Sequence, residues 1–553
     1  MHAIAVLVAR LPRPSPHSPL TLAWLGALWL GLLCNWPLWQ RLLLLPELAN
    51  PRGKLFLLAF MGMVTALLGM LLSLLAWKRS IKPVLAVLLL VAAPLAHFMG
   101  SYGIVMDAGM LRNVMQTDAH EVRDLLNLPL LVSLALLAGL PLLWLLRRPV
   151  EPGPLLRRAG FNLLAFVLGL GLALLLAAAT FADLASTMRN HKSLRYMINP
   201  LNAVYALGSG LYGPGAGAPG PVQPLGQDAH WQPRPGKPPL LLLVVGETAR
   251  ADNFSLNGYG RATNPQLAQR EVLSFREVSS CGTSTAASLP CMFSPLGQQA
   301  FAAQKQPQEN LLDMLQRAGL AVLWLDNQSG CKGLCDRVPH AQAGDGGAEL
   351  PSGLCSEGEC LDEALLAGLE QRLAALDPAK RQRGVVLVMH QMGSHGPAYY
   401  KRSPASAKPF GPECTSNALQ QCAREQVLNA YDNSIIYTDR VLARAIDWLG
   451  GQQAVYDPAL LYVSDHGESL GEGNLYLHGM PYAMAPREQT HVPLILWLPE
   501  RSAAAQGLRP GCLAGRLDQP VSHDALAHTV LGYSRVTTRL YRPDWDLLQP
   551  CRA

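Results

Sequence analysis

Charged residues are scarce in this chain. Asp, Glu, Lys and Arg make up 15% of its 553 residues, against about 25% in an ordinary soluble domain. Hydrophobic residues make up 50%. That balance excludes a disordered chain and argues against an ordinary all-soluble enzyme. A clustered basic stripe joined to a nucleic-acid-reading motif is also missing, so the net charge of +6 carries no nucleic-acid reading. No nucleic-acid partner is expected. Part of the excess lies in short loops between apolar runs, where a membrane accounts for it. Cysteine is nearly missing from the first half, where Cys34 alone precedes residue 280. There is no internal repeat.

What the first 183 residues do hold is five long apolar runs, near 20–44, 54–77, 83–106, 126–146 and 159–182. A spanning helix needs about 20 mostly apolar residues. A buried helical core would not repeat such runs five times without polar faces, and a cleaved signal peptide does not continue into four more. Orientation follows from Lys and Arg in the short loops. Arg10, Arg13, Lys78, Arg79, Lys82, Arg147, Arg148, Arg157 and Arg158 fall on one side. Arg52, Lys54, Arg112 and Arg123 fall on the other. The expected N-terminus is cytoplasmic, and five crossings leave the chain beyond residue 183 outside, in the periplasm of a Gram-negative inner membrane.

The cysteines give an independent reading. Ten follow residue 280: Cys281, Cys291, Cys331, Cys335, Cys355, Cys360, Cys414, Cys422, Cys512 and Cys551. An even number confined to the outside part reads as five disulfides in an oxidising compartment. Close spacing favours local pairs in sequence order, although spacing does not fix connectivity. A four-cysteine zinc site is the weaker alternative, because the intervals Cys331–Cys335 and Cys355–Cys360 are not the usual two-residue spacing.

Three domains are expected: a membrane domain over 1–183, a connector over 184–238, and an outside domain over 239–553. Residues 184–208 mix Arg189, Lys192 and Arg195 with apolar residues, as a segment lying on a membrane surface would. Residues 209–238 are dense in Gly and Pro, a linker composition. Beyond them, Leu240–Val245, Val385–Met389, Leu460–Val463 and Leu494–Leu498 are apolar runs suited to strands buried on both faces. Helical stretches over 309–318, 361–376 and 425–449 lie between them. The expected fold is α/β with a mainly parallel sheet. Ligands of such sheets bind beyond the carboxyl ends of the strands, where Glu247, His390, His395, Asp465 and His466 stand. Carboxylates and imidazoles at strand ends suit zinc. A single Glu or Asp there is usually a cap or turn residue. The Asp-His-Gly-Glu group, with a second carboxylate at another strand, moves the balance modestly towards a metal.

Whole segments then resemble one family. Val245-Gly-Glu-Thr-Ala-Arg250, Cys281-Gly-Thr-Ser-Thr-Ala-Ala-Ser-Leu-Pro-Cys291, Ser329-Gly-Cys-Lys-Gly-Leu-Cys335, His390-Gln-Met-Gly-Ser-His395, Tyr431-Asp-Asn-Ser-Ile-Ile-Tyr-Thr-Asp439 and Ser464-Asp-His-Gly-Glu-Ser-Leu-Gly471 closely resemble the lipid A phosphoethanolamine transferases, which include the mobile colistin resistance enzymes. The ordered set is far more specific than any one segment. The resemblance implies five membrane helices and a periplasmic domain of the alkaline phosphatase/sulfatase fold. It implies Thr285 as nucleophile, and Glu247, Thr285, Asp465 and His466 as ligands of one zinc. His395 and His478 match residues that bind the transferred phosphate or a second zinc, and Lys332 matches a substrate-contacting lysine. Gly473-Asn474 after Glu472 departs from the family pattern only in a loop.

These residue types suit the chemistry. Coordination to zinc favours an alkoxide, as it lowers the pKa of bound water from about 16 to about 7. A covalent phosphothreonine divides transfer into two steps, and Lys332, His395 and His478 are donors for the charge that develops. Thr-Ser-Thr-Ala-Ala-Ser is otherwise an ordinary loop or helix start, which would help bind phosphate in either case.

Asn113, Thr117 and Glu121 form a second group at i, i+4 and i+8, one face if the stretch is helical. By itself this would be a solvated amphipathic helix. The resemblance instead makes them headgroup contacts, with Glu121 for the ammonium and Asn113 and Thr117 for phosphate oxygens. The expected enzyme is a monomeric, membrane-embedded transferase that takes phosphoethanolamine from phosphatidylethanolamine and passes it to a lipid A phosphate. Alternatives are acceptors such as a core sugar, a periplasmic glucan or a protein, and a glycerophosphate polymerase, against which the disulfides and Glu121 argue. A sulfatase would need a C/S-x-P-x-R motif, which Thr285-Ala-Ala-Ser-Leu lacks.

Overall fold

The structure is a computed structural model. It describes residues 16–553 apart from 118, 152, 213–219, 346–349, 351–352 and 357. Arg10 and Arg13 of the charge count lie outside the described residues. By internal contacts the chain forms two compact units, one of Met1–Ala108 with Leu126–Gly208, the other of Gly109–Leu125 with Ser209–Ala553. The segment Gly109–Leu125, between two apolar runs in sequence, thus belongs with the second unit.

Among the described residues of the first unit, four helices are long and apolar enough to cross a membrane: Pro51–Leu74, Ile81–Tyr102, Leu128–Arg147 and Leu155–Ala179. A fifth exists if the pair Pro19–Leu33 and Trp36–Leu43, bent by 43°, is one span. The expected single run over 20–44 is therefore broken. Pro37 near the start of the second piece has no N–H to continue the ladder. Buried Asn35 donates to Leu30 O at 2.9 Å, and its Oδ1 accepts from the Asn199 N–H at 2.8 Å. A polar side chain in an apolar run so finds partners at the break. The count of spans is four to five.

The second unit is built on a seven-stranded sheet. Its strands are β1 (Pro239–Gly246), β2 (Val272–Phe275), β3 (Ala321–Asp326), β4 (His340–Gln342), β5 (Val385–His390), β6 (Asp457–Ser464) and β7 (Leu494–Trp497). The spatial order is β2-β7-β6-β1-β5-β3-β4. Pairings β6–β1, β1–β5, β5–β3 and β3–β4 are parallel. Strand β7 runs antiparallel to both β6 and β2, so the sheet is mixed around a parallel centre. Strands β2, β3 and β4 were not anticipated from the sequence, although Ala321–Leu325 is itself an apolar run.

Alternation along each strand supplies both faces. Leu241, Leu243 and Val245 pack with Leu289, Leu312, Leu315 and Val530 on one side. Leu240, Leu242 and Val244 pack on the other with Val427, Tyr431, Ile435 and Leu442. Those last four lie at intervals of four, four and seven residues on the helix Arg424–Gln452, the apolar stripe that 3.6 residues per turn requires. The helical stretch expected over 361–376 is interrupted. A 3₁₀ turn over Asp362–Leu366 and a helix over Leu369–Ala375 flank Gly368, at φ +67°.

Five disulfides pair the ten later cysteines in sequence order: Cys281–Cys291, Cys331–Cys335, Cys355–Cys360, Cys414–Cys422 and Cys512–Cys551. Cys34 is free and buried. With every sulfur of Cys331, Cys335, Cys355 and Cys360 in a disulfide, the four-cysteine zinc alternative falls.

Candidate functional site

Register places the polar strand ends together. Ser464 of β6 is level with Gly246 of β1, and His390 of β5 is level with Val245 of β1 and Asp326 of β3. The next residues, Glu247 and Asp465, therefore emerge side by side at one edge, with His466 following. Thr285 opens the helix Thr285–Met292, with Ser284 at its N-cap. Its Oγ1 lies 3.0 and 3.2 Å from the two Glu247 carboxylate oxygens and 3.4 Å from His466 Nε2. His466 Nε2 is 3.2 Å from Glu247 Oε1 and 3.5 Å from Asp465 Oδ2.

Glu247, Asp465 and His466 are fully buried, and one ligand atom from each lies within 4.8 Å of the others. Two carboxylates in so dry a place need a cation. Burial opposes ionisation of Glu247, yet the hydrogen bond and charge of His466 hold its carboxyl well below the ordinary range. Burial, then the neighbouring Glu247 charge, push Asp465 up. Burial disfavours a charged His466, but Asp465 and Glu247 outweigh it and raise its pKa. A proton on His466 does there what a divalent ion would do better. Asp465 Oδ2 is buried with no hydrogen-bond partner among the described residues, while Oδ1 accepts from the N–H groups of Thr248 and His466 at 3.2 and 2.8 Å. Three oxygen donors, one imidazole and an unsatisfied inward oxygen fit zinc.

A small polar cleft opens above Thr285, lined among others by Asn113, Thr117, Gln328, Lys332, His395 and His478. Ser284 Oγ donates to Asn113 Oδ1 at 3.0 Å, so the segment holding Asn113 reaches the residue just before Thr285. Thr117 Oγ1 donates to its own helix at Asn113 O, 2.9 Å. The expected single helical face is corrected here. Asn113 lies on the helix Ala108–Gln116, Thr117 follows its end, and Glu121 is on the separate helix Ala119–Leu125. The Glu121 side chain lies outside what the structure describes. Lys332, held at φ +49° within its disulfide loop, donates to Ser329 Oγ at 2.9 Å. The rings of His466 and His478 are 4.3 Å apart, and those of His395 and His478 are 6.0 Å apart.

Comparisons with known proteins bear on this arrangement. Residues 239–536 match the Sulfatase family, and residues 63–212 match the family described as Phosphoethanolamine transferase EptA/EptB. The chain is 39% identical to phosphoethanolamine transferase EptA of Escherichia coli over 98% of each chain. The chain belongs to the EptA/EptB phosphoethanolamine transferase family. It is also 40% identical to phosphatidylethanolamine transferase Mcr-1 of Escherichia coli, over 84% of this chain and 85% of that one. The integral membrane lipooligosaccharide phosphoethanolamine transferase A of Neisseria meningitidis superposes with a TM-score of 0.91 at 33% identity, covering 98% of this chain and all of that one.

The transferase site also includes residues that sequence reading passed over. Gln328, just past β3, donates to Glu247 Oε2 at 3.0 Å; recognising Ala321–Asp326 as a strand would have pointed to it. Glu468, inside the quoted Asp-His-Gly-Glu group, accepts from His478 Nδ1 at 3.3 Å and from Tyr399 OH at 2.9 Å. A carboxylate only accepts, so Nδ1 of His478 carries the proton, which fixes the ring's tautomer and orientation. His523 is buried. Its Nδ1 accepts from the Cys281 N–H at 3.1 Å and its Nε2 donates to Ser464 O at 2.9 Å. No local pattern marks His523, because both its partners are remote in sequence.

Proposed function

We propose that the chain moves phosphoethanolamine from phosphatidylethanolamine to a lipid A phosphate by way of a phosphothreonine at Thr285. The observation that carries this is a threonine hydroxyl 3.0 Å from a buried carboxylate, at a helix start that faces an open polar cleft. Glu247, Thr285, Asp465 and His466 would hold zinc, which when bound favours the threonine alkoxide and draws charge from phosphoryl oxygens. Thr285 Oγ1 forms the new bond to phosphorus, and the phosphorus–oxygen bond to diacylglycerol breaks, the leaving oxygen taking a proton. An oxygen of the lipid A phosphate then attacks the phosphothreonine, and the bond to Thr285 breaks. Glu247 orients the hydroxyl. Lys332, His395 and His478 meet charge on the transferred phosphate, and Asn113, Thr117 and Glu121 hold the donor headgroup.

The membrane domain over 1–183, the connector over 184–238 and the catalytic domain over 239–553 suit donor and acceptor that are both lipids. The inner membrane, with the N-terminus cytoplasmic and the catalytic domain periplasmic, accommodates the loop charges and the disulfides. Masking a phosphate and adding an amine lowers negative surface charge, so cationic peptides such as polymyxins would bind less. The relatives' names support the transferred group. The test is mass spectrometry of lipid A from cells expressing the chain or Thr285→Ala. One added phosphoethanolamine, present with Thr285 and absent with Ala, is expected. A well-expressed wild type that leaves lipid A unchanged refutes the acceptor. An addition that survives Thr285→Ala refutes the covalent intermediate.

A further inference from the structure

A cluster of charges beside the site takes no part in the chemistry above. Arg402, 6% exposed, uses its guanidinium in three directions. Nε donates to the carbonyl of His395 at 2.9 Å, and Nη1 donates to Glu359 Oε2 at 3.0 Å. Nη2 lies 3.8 Å from Asp124 Oδ2. The neighbouring Lys401 Nζ donates to Asp124 Oδ1 at 2.5 Å, and Asn417 Nδ2 donates to the Asp124 carbonyl at 2.5 Å. Asp124 is itself 8% exposed.

The position of Asp124 gives the cluster its meaning. It lies in the last turn of the helix Ala119–Leu125, which also carries Glu121. Eleven residues earlier, Asn113 meets Ser284 beside the nucleophile. The segment from 109 to 125 is therefore tied down twice, once at the Thr285 helix and once at the loop that carries His395. Both ties involve partners far away in the chain, with sequence separations of 171 and 277.

Stability does not account for such a cluster. Buried ion pairs are often replaced by apolar residues without loss, because desolvation offsets their attraction. What a rigid three-way fork does supply is orientation, and a lysine at 402 could not reproduce its geometry. We propose that Asp124 and Arg402 are positioning residues for the transfer reaction. Asp124 seats the donor-binding segment, while Arg402 holds the backbone of His395 at the angle from which its ring meets the transferred phosphate. The proposal rests on the function given above.

The two residues should fail differently. Headgroup contacts seated through Asp124 act on donor binding, so its loss raises KM. A misplaced His395 loses charge stabilisation that matters most in the transition state, so the loss of Arg402 lowers kcat. The experiment uses full-length, zinc-loaded protein in detergent with a fluorescent phosphatidylethanolamine as donor, and follows release of fluorescent diacylglycerol alongside melting temperature. Asp124→Asn should raise KM roughly tenfold, the size of one charge-assisted hydrogen bond, with kcat within about twofold. Asp124→Glu, which keeps the charge, should recover most of that loss. Arg402→Lys, which keeps the charge but not the fork, should lower kcat roughly tenfold with little change in KM. Wild-type KM in Asp124→Asn, or wild-type kcat in Arg402→Lys, overturns the proposal. So does a fall in both constants that merely follows melting temperature across all three variants. A wild type that releases no diacylglycerol overturns the underlying function, and the proposal with it.

Discussion

Gly393 is the position where one methyl group would most directly test the geometry of the strand-end edge that carries Glu247. It has φ +53°, a conformation that costs a non-glycine residue about 1 kcal/mol or more. A Cβ added there would lie 2.6 Å from the Glu247 carbonyl oxygen and 2.9 Å from its nitrogen. Relief to an ordinary carbon–oxygen separation of about 3.3 Å needs a shift of roughly 0.7 Å. Glu247 follows β1, a central strand paired on both sides, so any shift it takes carries its carboxylate relative to Thr285 and Asp465. A misplacement of about 1 Å can cost 10²-fold in rate. Gly393→Ala should therefore lose roughly 10- to 100-fold in kcat, about 1.4 to 2.7 kcal/mol of transition-state stabilisation. The control is Gly507→Ala, at φ +70° with nothing within 4 Å of the added Cβ. It suffers the same backbone penalty without the displacement. Donor turnover and melting temperature, measured on both variants, separate the effects: both should lose stability, and only Gly393→Ala should lose turnover. Wild-type turnover in Gly393→Ala would refute the argument that this turn sets the position of Glu247.

Further outcomes are expected. Removing Cys512–Cys551, whose partners are 39 residues apart, should cost roughly 4 kcal/mol in denaturant unfolding through the freed unfolded chain. Removing Cys331–Cys335, only 4 apart, should cost about half as much but should abolish more activity, because Lys332 loses its constraint; equal costs would count against this account. Burial lowers the pKa of His523 to about 4. Below about pH 6.5 the unfolded chain therefore takes up a proton that the folded one refuses, and stability falls by roughly 3 kcal/mol between pH 6.5 and 4. His523→Gln should flatten that part of the stability–pH curve measured by urea unfolding; an unchanged slope would remove His523 from the explanation.

Much of the fold was legible because its signals are local. Long apolar runs announce spanning helices whatever surrounds them, and short apolar runs such as Leu240–Val245 or Leu460–Val463 suit strands buried on both faces. The carboxylate and imidazole residues at their ends were legible for the same reason, since parallel strands deliver their carboxyl ends to one edge. Local signals also misled. The run over 20–44 reads as one helix until Asn35 and Pro37 find their places, and Asn113, Thr117 and Glu121 read as one helical face although the helix ends at Gln116. Short strands such as Val272–Phe275 have too few residues for a periodic signal.

By itself the sequence determined the membrane-spanning character, the parallel strand ends, the local pairing of ten cysteines, and the family through its ordered motifs. These depend on which residues are neighbours along the chain. Only the tertiary structure decided that Asn113 meets Ser284, that Glu468 orients His478, that His523 joins Cys281 to Ser464, and that Asp124 meets Lys401 and Arg402. Such contacts depend on how packed elements bring remote residues together, and a polar side chain shows no sign in sequence of the partner that burial will give it.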